Sequence, residues 1–174
     1  MNKEAATWFI HHLDDVSPSI AHAPDDVQRW LKGLDLPFGL LLFLQWDWPQ
    51  TPSCIGPVGI DPSSSLQKHP WIGALVAHKL LPIGSGANGD VFVIDYSVES
   101  CPVGYVTHEE YYGEGDPRPF FEPAARSIET FLYIATEDRY FPCDYYAAKA
   151  HNQFLRDEVA HFPYPPYETR SKPN

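Results

Sequence analysis

Eighteen prolines are spread along this 174-residue chain, and they limit the length of the elements that it can form. Proline lacks a backbone N–H and has a fixed φ, so it interrupts helices and is tolerated in sheets mainly on edge strands or at bulges. The chain is also rich in aromatic residues, which make up 14% of it. Together these features predict many short elements joined by defined turns, with large side chains filling irregular gaps.

The length predicts a single domain over residues 1–174, and the 44% hydrophobic content is enough for a packed core. Acidic residues outnumber basic ones by 23 to 12, which gives a formal net charge of −11. Phosphate backbones are bound by Lys and Arg, so this balance argues against nucleic acid as a partner and favours a basic protein. The alternative is that the charge serves only solubility.

Three cysteines, an odd number with no CxxC spacing, argue against a disulfide framework and predict a cytoplasmic protein. The first residues contain no apolar segment of the signal-peptide kind. The longest apolar stretch, residues 36–44, is broken by Pro37 and Gly39 and is far shorter than the ~20 residues of a membrane span. We therefore expect neither export nor insertion in a membrane.

Helical patterns are predicted at both ends of the chain. Ala5, Trp8, Phe9 and His12 lie at helical spacing. A second helix is predicted with Pro24 in its first turn and an apolar stripe at Val27, Trp30, Leu31 and Leu34. Residues 38–46 are apolar almost throughout, so their pattern does not separate a strand from a helix. Further helices are predicted at about 128–137, with Ser127 as N-cap, and at about 144–159.

Strand patterns occupy the middle of the chain. Residues 73–83, 90–96 and 103–109 are separated by short turns and predict an antiparallel meander, so the fold class is α+β. A Pro-rich insert at about 49–70 and a Gly/Pro-rich stretch at 110–126 are predicted as loops. The tail at 162–174, rich in Pro and Tyr, is predicted to extend across its own domain.

Gly84, Gly86 and Gly89 spell GxGxxG, a pattern found in nucleotide-binding loops. A dinucleotide site needs a helix after the glycines, whereas an apolar strand follows here. A kinase loop needs a lysine on the next strand, and no lysine occurs between Lys79 and Lys149. We therefore interpret the glycines as a hairpin, with Asn88 and Gly89 supplying positive φ in its turn.

Catalytic and metal-binding patterns are weak. His78 and His108 lie on neighbouring predicted strands and could hold a metal together with Glu109, but the sequence favours hydrogen-bonded or solvent-facing histidines. There is no GxSxG motif, and none of the three cysteines lies in a recognisable nucleophile context. A Cys–His site stays open only because its partners would meet in the fold. We predict no enzyme, no cofactor and no metal site.

An acidic and aromatic stretch after the third strand has the composition of a recognition surface for a basic protein. Its candidate binding residues are Glu109, Glu110, Tyr111, Tyr112, Glu114 and Asp116. The alternative is a solvated loop whose aromatic side chains enter the core. A secondary patch with similar chemistry is Trp46, Asp47 and Trp48, which could also belong to the core.

Three motifs follow one another between about residue 74 and residue 136: LPIGSGANGDVFVIDYS, then VGYVTHEEYY, then ARSIETFLYIA. Their order resembles the SUKH superfamily, which groups bacterial immunity proteins with yeast cell-wall-assembly regulators. The long insert at 49–70 and the absence of an asparagine-glycine-glycine turn near Trp46 depart from the family pattern. No catalytic residue is shared across that family, so none is transferred.

The resemblance implies a curved antiparallel sheet flanked by helices and a role in binding. The function that it implies is an immunity protein that neutralises a bacterial toxin, such as a nuclease, by direct contact. Two alternatives remain at the level of sequence: a regulatory scaffold unrelated to toxins, and a small enzyme with an unrecognised His/Glu or Cys/His site.

Overall fold

In a computed structural model of the chain, residues 22–137 and 141–159 are described. The predicted helix at residues 5–12 and the predicted tail at 162–174 lie outside them. Among the residues described, two helices precede the sheet: α1 at Asp25–Lys32 and α2 at Phe38–Trp46. The prediction of α1 is confirmed, and the apolar run that follows is a helix. None of the helices in the described ranges is long and apolar enough to cross a membrane.

Within the described residues, six strands form one open antiparallel sheet in the order of the chain. They are β1 Ser53–Ile55, β2 Val58–Ile60, β3 Leu80–Ser85, β4 Val91–Asp95, β5 Val103–Val106 and β6 Phe121–Ala125. Each strand pairs with the next one in sequence. The predicted α+β class and the central antiparallel meander are confirmed.

The prediction of a strand at 73–83 was wrong for the first half of that range. Residues Ile72–Ala77 form a short helix, α3, and β3 begins only at Leu80. Lys79 lies between the two elements and has a φ of +60°, and this left-handed conformation changes the direction of the backbone. An apolar run of this length suits a buried strand or a buried helix equally well, so periodicity did not separate the two.

Two regions predicted as loops contain strands. The insert at 49–70 holds the hairpin of β1 and β2, in which Ile55 pairs with Val58 across a two-residue turn, followed by a 3₁₀-helix at Ser63–Lys68. Gly56, with a φ of +55°, makes that turn possible. The stretch at 110–126 ends in a 3₁₀-helix, Arg118–Phe120, and in β6. Pro123 in β6 lies on an edge strand, where a missing N–H is tolerated.

The glycine-rich segment is a hairpin between β3 and β4, as predicted. The N–H of Gly86 donates to the carbonyl of Asp90 at 2.8 Å, and Gly89 has a φ of +95°. Asn88 contributes through its side chain instead, because its Oδ1 accepts from the N–H of Asp90 at 3.1 Å. No helix starts at Gly89, which agrees with the exclusion of a dinucleotide-binding loop.

The last two helices in the described part of the chain are α4 at Ile128–Glu137 and α5 at Tyr145–Val159, as predicted. Ser127 caps α4, since its Oγ accepts from the N–H of Thr130 at 3.1 Å. Asp144 caps α5 in the same way, with its Oδ1 2.7 Å from the N of Ala147.

Both faces of the sheet are buried. On β4, Phe92 and Ile94 join the larger core cluster, which also receives side chains of α1, α2, α4 and α5. Val91 and Val93 point the other way, into a smaller cluster with residues of α3 and with Tyr111. This explains why the central strands are apolar throughout and do not alternate.

Candidate functional site

The candidate site is the loop from Thr107 to Pro117, which leaves β5 and returns to β6. The N–H of Thr107 donates to the carbonyl of Phe120 at 3.2 Å and so joins the two ends of the loop. The N–H of Tyr111 donates to the carbonyl of Thr107 at 3.2 Å and closes the first turn. The hydroxyl of Thr107 also accepts from the N–H of Glu109 at 3.3 Å. The base of the loop is therefore fixed to the rigid end of the sheet.

Tyr111 holds the loop from inside. Its side chain is 1% exposed and packs edge-on against Trp71, with ring centroids 5.3 Å apart. Its hydroxyl donates to the carbonyl of Gly115 at 3.3 Å, and burial raises the pKa of this tyrosine. Gly113, with a φ of +86°, lies so close to the indole of Trp71 that a Cβ would overlap it. Tyr111 was expected at the binding surface, but in this structure it is core.

The exposed aromatic residues of the site are Tyr112 and Tyr146, and both contact Glu109. Tyr112 is 76% exposed, and its hydroxyl donates to the carbonyl of Glu109 at 2.8 Å. Tyr146, on α5, is 42% exposed, and its hydroxyl donates to Oε2 of Glu109 at 2.9 Å. That hydrogen bond raises the pKa of Tyr146. Glu109 thus orders two exposed tyrosines from different parts of the chain.

The loop that carries Tyr112 is acidic. Glu110 and Glu114 are both exposed, and no Lys or Arg occurs in the sequence between Lys79 and Arg118. On the neighbouring helix, Lys149 lies over the ring of Tyr145, 5.4 Å from its centroid. We call the set of Glu109, Glu110, Tyr112, Glu114 and Tyr146 the tyrosine–glutamate surface.

The far end of the loop is held by an ion pair. The guanidinium of Arg118 makes two hydrogen bonds to the carboxylate of Asp95, and its Nε donates to the carbonyl of His78 at 3.1 Å. Burial raises the pKa of Asp95, but hydrogen bonds from Arg118 and Ser97 outweigh it, so the net shift is downward. Asp116 lies 3.2 Å from Nδ1 of His78. Asp116 therefore belongs with the Arg118, Asp95 and His78 contacts and not with the exposed tyrosines.

A buried carboxylate that sequence reasoning missed joins the loop to α5. Asp90 is 0% exposed; its Oδ1 accepts from the N–H of His108 at 3.0 Å and lies 2.9 Å from that residue's Nδ1. Its Oδ2 accepts from the N–H of Tyr145 at 2.9 Å, at the start of α5. Burial raises the pKa of Asp90, but these hydrogen bonds outweigh it and lower the pKa overall.

The histidine pair proposed as a possible metal site is not assembled. His78 precedes β3 at the end where Leu80 pairs with Asp95, whereas His108 follows β5 at the opposite end of the sheet. Glu109 is engaged with Tyr146. In the part of the chain that the structure describes, no three His, Cys, Asp or Glu side chains group together in a way that could hold a metal ion.

The secondary patch is not one surface. Trp48 is fully buried, and its Nε1–H donates to the carbonyl of Asp61 at 2.8 Å. Trp46 is 46% exposed and packs edge-on against the ring of His22, with centroids 3.9 Å apart. Asp47 is half-buried, and burial raises its pKa. Only Trp46 among the three presents much of its side chain to solvent.

Comparison of the chain with protein-family models, with curated proteins and with solved structures gave no match.

Proposed function

We propose that this protein is a non-catalytic binding module that recognises a basic protein through the tyrosine–glutamate surface. The observation that carries the proposal is the arrangement around Glu109, where Tyr112 and Tyr146 are exposed and yet positioned by hydrogen bonds. Tyrosine provides large contact area for little loss of conformational freedom, and a positioned side chain loses less still on binding.

The acidic flank of the surface supports a basic partner. Carboxylates of Glu110 and Glu114 would accelerate encounter with a positively charged protein and would form ion pairs at the rim of the interface. A nuclease must carry basic residues to hold phosphate, so a nuclease toxin fits this surface. Together with the sequence resemblance to SUKH proteins, this leads us to propose an immunity protein that acts in the cytoplasm.

The proposal is tested by expressing the product of the adjacent gene with and without this chain. We expect growth inhibition by that product, relief by this chain, and a complex that survives purification. If the adjacent gene encodes no toxin but its product still binds here, the regulatory scaffold is the correct function. If no complex forms with any adjacent gene product, the proposed function is wrong.

Charge reversal tests the surface in a verified complex. Glu110→Lys with Glu114→Lys changes the net charge from −11 to −7, because each substitution adds two charges. A control with Asp25→Lys and Glu99→Lys makes the same change at other exposed positions. We expect the first variant alone to slow association by about tenfold at low salt, and to weaken its salt dependence. Equal rates for the two variants would contradict this choice of surface.

Truncation of an exposed tyrosine tests the anchor. Tyr112→Ala should raise the Kd by about thirtyfold, the effect of losing a residue worth about 2 kcal/mol at an interface centre. The control is Val98→Ala, which removes a 48% exposed apolar side chain elsewhere. If both variants bind as tightly as the native chain, Tyr112 does not contact the partner.

A further inference from the structure

An exposed apolar stripe runs along α2 and has no role in the proposed function. Phe38, Leu42 and Trp46 are 74%, 40% and 46% exposed, and they are spaced at i, i+4 and i+8. Residues at this spacing are neighbours on one side of a helix, so the three side chains form one continuous strip. We call these residues the α2 stripe.

The opposite side of the same helix is already committed to the core. Leu40, Phe43 and Leu44 are 2% exposed or less and belong to the larger cluster. The sequence of the helix, FGLLLFLQW, contains no charged residue on any side. A helix that is apolar all round is usually covered all round. The α2 stripe therefore needs an occupant.

The residues that precede His22 are the candidate to cover the α2 stripe. The ring of His22 packs on Trp46 at 3.9 Å, and the N–H of Ala23 donates to the carbonyl of Gln45 at 2.9 Å. Residues 1–21 are thus attached at the Trp46 end of the α2 stripe. They include Trp8 and Phe9, which belong to the helical pattern predicted at residues 5–12. We propose that residues 5–12 dock on the α2 stripe as an amphipathic helix.

The lengths agree with this arrangement. Eight residues of helix extend about 12 Å at about 1.5 Å per residue, and Phe38 to Trp46 spans about the same distance. The nine intervening residues, 13–21, can reach about 30 Å when extended. That is more than twice the length of the α2 stripe, so the connection permits the segment to lie in either direction along it.

A second copy of the chain fits the α2 stripe less well. The exposed parts of Phe38, Leu42 and Trp46 amount to on the order of 300 Å², given that a whole aromatic side chain offers about 150–250 Å². A stable dimer buries about 800 Å² on each partner. One tethered helix needs less area, because its attachment at His22 keeps its effective concentration high.

Hydrogen exchange on the full chain tests the proposal. Backbone amides of residues 5–12 should exchange at least about tenfold more slowly than in an unstructured chain. Leu42→Glu places a charge in the middle of the α2 stripe and should remove most of that protection. Val98→Glu, which changes a side chain of similar exposure elsewhere, should leave it intact. Phe38→Glu, at a still more exposed position, replaces Leu42→Glu if that variant does not fold.

Three results would contradict the docking of residues 5–12 on the α2 stripe. Exchange of residues 5–12 at the unstructured rate in the native chain would overturn the proposal. Protection that survives both Leu42→Glu and Phe38→Glu would place the segment elsewhere and would overturn it too. Protection that grows with protein concentration, together with a doubled mass in light scattering, would assign the α2 stripe to a second copy. Trp8→Ser with Phe9→Ser gives the reciprocal test and should release the segment without changing exchange in β3–β5.

Discussion

Removing the buried carboxylate of Asp90 should be among the most damaging single substitutions in this protein. Asp90→Ala deletes the acceptor of two backbone N–H groups, those of His108 and Tyr145, at a residue that is 0% exposed. Each buried donor left without a partner costs about 1–3 kcal/mol, so the two together cost about 2–6 kcal/mol. A domain of this size has a total stability of about 5–15 kcal/mol.

Asp90→Asn separates the effects of the two oxygens. An asparagine at this position keeps one oxygen acceptor and presents an NH₂ group where the second carboxylate oxygen was, so one of the two N–H groups faces another donor. We expect it to fold with a loss of about half that of Asp90→Ala. Glu114→Ala, at an exposed position, is the control and should change stability by less than about 0.5 kcal/mol.

Urea unfolding, followed by far-ultraviolet circular dichroism and by tryptophan fluorescence, measures these differences directly. A shared midpoint for the two signals would support two-state behaviour, which is needed to convert midpoints into free energies. If Asp90→Ala lowers the free energy of unfolding by less than about 1 kcal/mol, the two backbone amides find water or other acceptors, and our reasoning about this residue fails.

Acid should remove the stabilising contribution of the Asp90 carboxylate in the native chain. The pKa of Asp90 is lower in the folded protein than its ordinary value, so the unfolded chain binds the proton more readily. The stabilisation is therefore complete above the unfolded pKa of about 4 and is lost as the pH falls through the folded pKa. Below about pH 4 the native chain should approach Asp90→Asn in stability, whereas at pH 7 the gap should be full.

Three further results are expected. Gly113→Ala should lower stability by more than about 2 kcal/mol, measured by urea unfolding, because φ is +86° and the new methyl group would overlap Trp71. Tyr105→Phe should cost about 1–2 kcal/mol in the same assay, since it leaves a buried carbonyl without its donor. Titration with a thiol reagent at pH 8 should modify exposed Cys54 well before Cys101, because burial raises the pKa of the Cys101 thiol to about 11. Denaturant should abolish the difference.

Much of the fold was predictable where local signals were strong. Ser127 followed by an apolar stripe marked α4, and the glycines after Ile83 marked the hairpin before β4. The errors fell where a short apolar run carries no period: the segment before Lys79 was read as strand and is helix. The edge strand β6 was missed because Pro123 and the neighbouring Glu122 lower strand propensity, while pairing with β5 decides the conformation.

The candidate site was only partly predictable. Composition pointed to the acidic and aromatic loop, but adjacent tyrosines carry no sequence signal for which one turns inward, and Tyr111 is buried while Tyr112 is exposed. Tyr146 was missed because it lies 37 residues from Glu109. Asp90 was missed for the same reason, since its contact with Tyr145 spans 55 residues. Such pairs become neighbours only in the fold.

The strand order has a consequence for how the chain emerges from the ribosome. Because every strand pairs with its immediate predecessor, each new strand meets an edge that has already been synthesised. Until α5 follows, β6 is the growing edge, with backbone groups open to pairing by another chain. In the finished fold Asn152 of α5 donates to the side chain of Glu122 and to the carbonyl of Pro123 at 2.7 and 2.6 Å. A chain that ends before α5 would therefore expose the edge of β6 to pairing with strands of other chains.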